Sequence, residues 1–274
     1  MPVLRSFLSV LALLSCAPTW SHEFWLQSTS YSPRLQAEVD LSVHVGEYYV
    51  GELVGVTATH AASVRVLSST GTQDLASRIP TGSMLPSLRL SFAKSGTHMV
   101  TYDSHPSQVV LSADKFHAYL HDEGLDAVIR QREAAGTAAS AGRERFRRNA
   151  KILLRAGDRS DSVSLAAAGQ RLEILALADP LIGFAGDRFR FQLRFEGKAL
   201  AGALVKAWHK KDGQTTVIRS TSDALGHVTF DLPFAGPWLL NTVHMLRTTD
   251  APDVDWDSFW SSLTFEVKAR VTTR

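Results

Sequence analysis

The stretch STSDALGHVTFDLPFAGPWLL, residues 220–240, decides the fold of the carboxyl-terminal half of the chain. It contains an Asp-x-x-Gly turn at 223–226, then an apolar strand, then a Gly-Pro corner at 236–237. The segment before it, EGKALAGALVKAW at 196–208, places a Gly-Lys turn between two short strands. Short strands that are joined by tight turns in this way predict a small β-sandwich.

The amino-terminal half has the same β signature. The segment AEVDLSVHVGEYY (37–49) alternates apolar and polar residues, and SLRLSFAKSGTHMVTYDS (87–104) is typical of two strands joined by a turn at 94–96. A period of two that is broken by turn residues favours antiparallel sheets with one buried face. We therefore predict a mainly β protein that contains two β-sandwich-like domains.

The pattern changes to a helical period near residue 112. Ser112 or Asp114 is a candidate helix N-cap, and the apolar residues Phe116, Tyr119 and Leu120 follow at helical spacing. Gly124 predicts a break before a second helix, and GRERFRRNAKILLRAG (142–157) predicts a third helical stretch with a solvated basic face.

The first 21 residues have the pattern of a secretion signal. One positive charge at Arg5 precedes the apolar run FLSVLALL (7–14), and small residues follow. No later window holds the roughly 18 uninterrupted apolar residues that a spanning helix needs, so we expect a periplasmic protein with no transmembrane span after signal removal. Lipidation of Cys16 in LLSC (13–16) is a second interpretation of this leader.

These patterns divide the chain into four predicted parts. They are a signal peptide (1–21), an amino-terminal β domain (22–111), a short helical connector (112–169) and a carboxyl-terminal β-sandwich (170–274).

The composition narrows the classes of function. The charges nearly balance, with 29 basic and 27 acidic residues, so we expect no nucleic-acid partner. The motifs G-x-S-x-G, H-E-x-x-H and G-x-x-x-x-G-K-[ST] are missing from the sequence, and the single cysteine lies in the leader, which favours a binding protein over an enzyme. Ten histidines beside one cysteine favour a site for nickel, cobalt or copper that is built from nitrogen ligands.

His22 is the first candidate ligand. Cleavage after Ser21 would make His22 the mature terminus, where a free amine with a pKa near about 7.7–8.0 and the imidazole of the same residue form a chelate. One more imidazole would complete a set of three nitrogens of the histidine-brace kind, which suits Cu(II) or Ni(II). If HEFWL (22–26) is only the start of a strand, this site does not exist.

The candidate partners of His22 are three histidines in strand-like segments. His244 follows an apolar strand and has Met245 beside it, His98 has the same His-Met pairing, and His44 lies in an alternating strand. We rank His244 first among them.

Several segments together resemble a bacterial family of unknown function that is described as the periplasmic component of ABC-type cobalt or nickel uptake. The resemblance rests on HEFWLQ (22–27), KFHAYLHDEGL (115–125), GKALAGALVKA (197–207), TSDALGHVTFDLPFAGPWLLNTVHM (221–245) and DWDSFWSSLTFEV (255–267). It implies export, an immunoglobulin-like or transthyretin-like carboxyl-terminal half, and a role near transition metals. It also implies that His22 and His244 match histidines of the family.

The sequence therefore predicts a periplasmic protein that binds nickel, cobalt or copper and assists its uptake or delivery. Its further partner would be a membrane transporter or an outer-membrane receptor. A metal-free binding or scaffolding module of the cell envelope and a histidine-brace copper oxidase remain as alternatives.

Overall fold

The computed structural model describes residues 23–79 and 81–270, and their secondary structure is mainly β, which confirms the predicted fold class. The strands before the helices are β1 (Glu23–Ser28), β2 (Glu38–Glu47), β3 (Val50–Leu53), β4 (Ala61–Ser68), β5 (Gly71–Asp74), β6 (Leu88–Ser91), β7 (Gly96–Ser104) and β8 (Ser107–Leu111). The α-helices of the described residues are α1 (Ala113–Asp122) and α2 (Asp126–Ala134). The later strands are β9 (Gly142–Ala156), β10 (Leu172–Ala176), β11 (Arg188–Phe195), β12 (Lys198–Ala199), β13 (Leu204–Lys211), β14 (Gln214–Thr221), β15 (His227–Asp231), β16 (Gly236–Arg247) and β17 (Trp256–Val267).

The strands of the described residues pair into three sheets. The N-terminal sheet contains β1, β2, β3 and β6, and the C-terminal sheet contains β10, β11, β12 and β15. The central sheet has the order β14-β13-β16-β17-β9-β7-β4-β5, and β8 pairs with β9 beyond the end of β7. Its strands pair antiparallel except β17 and β9, which run parallel.

The central sheet is buried on both faces. Ile152 of β9 belongs to a core that it shares with the N-terminal sheet, whereas its neighbour Leu153 belongs to a core shared with the C-terminal sheet. Successive side chains of a strand point to opposite faces, so the central sheet lies between the two smaller ones. Hydrophobic side chains on both faces explain why the central strands contain consecutive apolar residues, such as ILL at 152–154 and WLL at 238–240.

The two helices cover the part of the central sheet that the N-terminal sheet leaves open. The predicted apolar residues Phe116, Tyr119 and Leu120 are buried and pack with Trp256 and Trp260 of β17. The predicted break is also confirmed, since Gly124 separates α1 from α2 with a φ of 68°. Neither helix of the described residues is long and apolar enough to span a membrane.

The third predicted helix is wrong, because residues 142–156 form strand β9. The arginines at 143, 145 and 147 recur every second residue, which is the period of a strand. They pair with Asp255, which immediately precedes β17, and with Asp257 near its start; β17 is the strand that pairs with β9 in parallel. Helical structure within the predicted connector is therefore confined to α1, α2 and a short 3-10 turn at Val163–Leu165. The predicted domain boundaries remain a prediction.

Strand β1 lies against the central sheet and brings the start of the described chain close to it. Thr264 Oγ1 of β17 donates a hydrogen bond to the carbonyl of Leu26 at 2.7 Å, and the ring of Phe24 packs on Tyr102 of β7 at 5.2 Å. The amino end of β1 is thus held at the junction of the N-terminal sheet, the central sheet and α1.

Candidate functional site

His22, the first predicted metal ligand, lies outside the described residues, which begin with Glu23. The structure does describe the surroundings of its neighbour. One peptide bond joins His22 to Glu23, whose strand pairs with β2 in a register that places Glu23 opposite Gly46. Partner ligands of His22 would therefore have to lie near the amino end of β1.

His44 is half-buried on β2, on the face opposite to the one that Val43 and Val45 present to the core. Its ring stacks on Trp25 at 5.6 Å, and its Nε2 lies 2.9 Å from Ser42 Oγ. Burial lowers the pKa of His44, so the neutral ring is favoured.

His98 is buried between the N-terminal and central sheets. Its Nε2 donates to the carbonyl of Lys94 at 3.1 Å, and its ring stacks on Phe92 at 4.1 Å. Burial lowers the pKa of His98 as well. These contacts give His98 a structural role in the packing of the two sheets.

His244 lies on the other face of the central sheet, toward the C-terminal sheet. Its half-buried ring contacts Phe195 of β11 at 4.6 Å, and burial lowers its pKa. His44, His98 and His244 thus have three different surroundings, and the structure does not bring them together. Among the described residues, no three His, Cys, Asp or Glu side chains form a group that could hold a metal ion.

A pocket of about 220 Å³ lies beside the amino end of β1 and brings two other histidines together. Its lining residues come from five parts of the chain: Phe24, Val45, Val54, Gly55, His60, Tyr102, Ser104, His105, Ser107, Phe146 and Arg148. Both histidines are exposed, so their rings are open to ligands from solvent.

The pairing of β4 with β7 explains why His60 and His105 are neighbours. His60 precedes β4 and His105 follows β7, and these strands are antiparallel, with Ala61 opposite Ser104. The amide of His105 donates to the carbonyl of His60 at 2.8 Å, and His60 Nδ1 lies 2.8 Å from Thr57 Oγ1. We did not predict either residue as a ligand, because each stands singly in a loop and only the strand register joins them.

Arg148 is the charged group of this pocket. Its guanidinium lies over the ring of Phe24 at 5.0 Å and over the ring of Phe146 at 4.9 Å. Its Nε is buried and has no hydrogen-bond partner among the described residues, and burial lowers the pKa of Arg148 to about 10. The pocket therefore contains a cation that aromatic faces stabilise and that forms no ion pair with a carboxylate of the described residues, although the buried Glu144 attracts it at longer range.

Glu23 faces a second polar cluster on the opposite side of β1. Its carboxylate is buried, and its Oε2 has no hydrogen-bond partner among the described residues. Burial, followed by the nearby charge of Glu123, raises the pKa of Glu23 to about 8. Lys206 Nζ in turn donates to Glu123 Oε1 at 3.0 Å and to Asp122 Oδ2 at 2.6 Å. Phe24 and Glu23 thus face two different surroundings on opposite sides of β1, the cationic pocket and a buried carboxylate cluster.

The fold and the pocket define the class of this protein, and comparison with known proteins gives its family. It is a mainly β protein of several packed sheets with a histidine-containing pocket. The chain belongs to the family described as domain of unknown function (DUF4198), which matches residues 19–246. No curated protein matches it.

Two solved structures are similar to this chain at low identity. One is the tetra-tandem repeat in the extending region of a large adhesion protein, which is 9% identical over 91% of this chain and 50% of that chain, with a TM-score of 0.24. The other comprises three N-terminal domains of the bacteriophage RB49 Highly Immunogenic Outer Capsid protein (Hoc), 10% identical over 90% of this chain and 59% of that chain, with a TM-score of 0.20. The chain spans about half to three fifths of the length of these solved chains.

Proposed function

We propose that this chain is an exported, periplasmic protein that binds nickel, cobalt or copper at the amino end of β1 and assists its uptake or delivery. His22 supplies the first ligands, through its imidazole and, if cleavage follows Ser21, its terminal amine. His60 and His105 supply the others. The observation that carries the proposal is that two imidazoles line the pocket next to Phe24, two residues from His22.

The donor set fits the metals proposed. Imidazole and amine nitrogens suit nickel, copper and cobalt, and the sequence has no cysteine besides Cys16 in the predicted leader. The exposed rings of His60 and His105 leave the metal open to exchange, which a carrier requires. The proposal requires that His22 contribute its nitrogens to the pocket that Phe24 lines, and the variants described below test this.

The proposal replaces the partners first chosen for His22. His244 contacts the C-terminal sheet, and His98 already donates to a carbonyl and stacks on a ring. His44 projects from the face of β2 opposite to that of Val45, which lines the pocket. None of the three is therefore as well placed as His60 and His105 to share a metal with the amino end of β1.

The test combines the position of the mature terminus with metal titrations. N-terminal sequencing of the exported protein shows whether His22 is the first residue. A terminus at Cys16, or at any other residue before His22, removes the amine from the site. Titration with Ni(II), Co(II) and Cu(II) by calorimetry should show binding that His22→Ala and the double variant His60→Ala/His105→Ala each weaken at least about 10–100-fold, the loss seen even for outer-shell partners of metal ligands.

His44→Ala and His244→Ala serve as matched controls, since each removes one imidazole outside the pocket. They should bind the metal as the unmodified protein does. Unchanged binding in the double variant would remove His60 and His105 from the site. If none of the three metals binds, the chain is instead a metal-free binding module of the cell envelope.

A further inference from the structure

We infer that the pocket beside the amino end of β1 is a receptor for a small carboxylate anion, which Arg148 binds. The inference starts from the charges that line the pocket. Arg148 is its cation, and its lining residues include no Asp or Glu. The buried carboxyl of Glu144 attracts the guanidinium electrostatically, but among the described residues no ion pair or side-chain hydrogen bond joins the two groups. A partly buried charge that no carboxylate contacts directly is costly, so an anion from solvent would stabilise it.

The geometry favours a planar anion. Phe24 and Phe146 each present a ring to the guanidinium at about the same distance, 5.0 and 4.9 Å. The guanidinium contacts the faces of the two rings, so the N–H groups at its edge remain available as donors. Two of these N–H groups form a parallel pair, the fork, and a carboxylate can accept one hydrogen bond from each of them in the guanidinium plane. Lysine could not supply this pair of parallel donors.

Other polar groups of the pocket suit the same ligand. Ser107 and Tyr102 add hydroxyl groups to the lining, while Ser104 Oγ already accepts a hydrogen bond from the backbone amide of Arg148 at 2.9 Å. The exposed imidazoles of His60 and His105 lie in the same lining and could bind either the anion or its metal. A volume of about 220 Å³ limits the occupant to a molecule with few heavy atoms.

The carboxylate site does not require a metal, but it gives the proposed function a more specific form. A divalent ion held by neutral nitrogens next to Arg148 would leave the pocket with excess positive charge. A carboxylate that bridges the metal and Arg148 would neutralise this charge. Where the metal proposal also holds, the cargo is therefore a metal ion accompanied by a small carboxylate.

The experiment measures the binding of malonate, acetate and inorganic phosphate to the full chain by calorimetry in metal-free buffer near pH 7. Arg148→Met keeps the apolar stem between the two rings and removes the fork, and it should weaken malonate binding by at least about tenfold, because a hydrogen bond to a charged group contributes about 1.5–3 kcal/mol. Arg147→Met is the matched control. Arg147 is the next residue of β9, faces the other way and pairs with Asp257, so its loss should leave malonate binding unchanged.

Arg148→Lys keeps the charge and tests the fork, and it also replaces Arg148→Met if that variant fails to fold. It should bind malonate several-fold more weakly than the unmodified protein. The inference would be overturned if the unmodified protein, Arg148→Met and Arg148→Lys all bound malonate with the same affinity. It would also be overturned if the unmodified protein bound phosphate more tightly than malonate.

Repeating the titration with Ni(II) separates the two proposals. If Ni(II) strengthens malonate binding and His60→Ala/His105→Ala abolishes that gain, the metal and the carboxylate share the pocket. If malonate binds through Arg148 and Ni(II) neither binds nor changes this affinity, the carboxylate site stands and the nickel proposal fails.

Discussion

Glu144 of β9 is a buried carboxyl group that is held by hydrogen bonds and by no ion pair among the described residues. Tyr119 Oη donates to its Oε1 at 3.2 Å, and Ser258 Oγ donates to the same oxygen. Burial raises the pKa of Glu144 from 4.5 to about 7. The folded protein therefore holds a proton that the unfolded chain releases at lower pH, so this group favours folding fully below pH 4.5 and ceases to do so as the pH rises through about 7.

Glu144→Gln should remove this part of the pH dependence. The amide keeps an acceptor for Tyr119 and Ser258 but does not ionise. Between about pH 5 and about pH 7 the unmodified protein should lose up to about 1.4 kcal/mol of unfolding free energy per pH unit more than the variant does. Urea unfolding across this range measures the difference, with the half-exposed Glu196→Gln as control. Parallel pH profiles for the unmodified protein and Glu144→Gln would show that the buried carboxyl is not what titrates.

The hairpin of β2 and β3 is an element with an unusual turn. Glu47 pairs with Val50, so Tyr48 and Tyr49 form a two-residue loop, and their φ values of 57° and 58° are those of a type I′ turn. Asn-Gly normally occupies such turns, because bulky residues are strained at positive φ. The strain is opposed by ring contacts, since Tyr49 packs on Trp25 at 5.4 Å and Tyr48 on Trp208 at 5.8 Å.

The close approach of the two hairpin strands makes Gly46 the position where a small change has a large effect. A Cβ at this residue would lie 2.1 Å from the carbonyl oxygen of Val50, so the backbone would have to move. We expect Gly46→Ala to lower the unfolding free energy by about 1–3 kcal/mol, the usual cost of forced overpacking. The exposed neighbour Val50→Ala should change it by less than about 0.5 kcal/mol. Equal unfolding midpoints for Gly46→Ala and Val50→Ala in urea would contradict this prediction.

At the scale of the whole molecule, the central sheet joins early and late parts of the chain. Strand β17 lies between β16 and β9, and its tryptophans 256 and 260 pack on α1 and α2. A carboxyl-terminal fragment of residues 170–274 would lose β9 and both helices, leaving a long apolar strand edge unpaired.

This fragment should therefore fail to fold alone. We expect it to lack a cooperative thermal transition by near-ultraviolet circular dichroism, whereas the full chain should show one. A mixture of the fragment with residues 23–169 is the matched comparison, because it restores β9 in trans. Cooperative unfolding of the isolated fragment would instead support an independent carboxyl-terminal domain that begins at residue 170.

The sequence predicted those features that depend on local pattern. The alternation of apolar and polar residues at 37–49 predicted strand β2. The helical spacing of Phe116, Tyr119 and Leu120 predicted the buried face of α1. Features that depend on distant partners escaped prediction. Residues 142–156 are a strand because β17 and β7 pair with them, and His60 meets His105 only through the register of β4 with β7.

The parallel pairing of β17 with β9 also constrains when the molecule can fold. The two strands are separated by about a hundred residues of chain, and β9 cannot complete its hydrogen bonding until residues 256–267 have been synthesised. Sheets that depend on such distant contacts form slowly. A growing chain of this sequence therefore spends its synthesis time without a finished central sheet, and such an unfolded chain is compatible with the export that we propose.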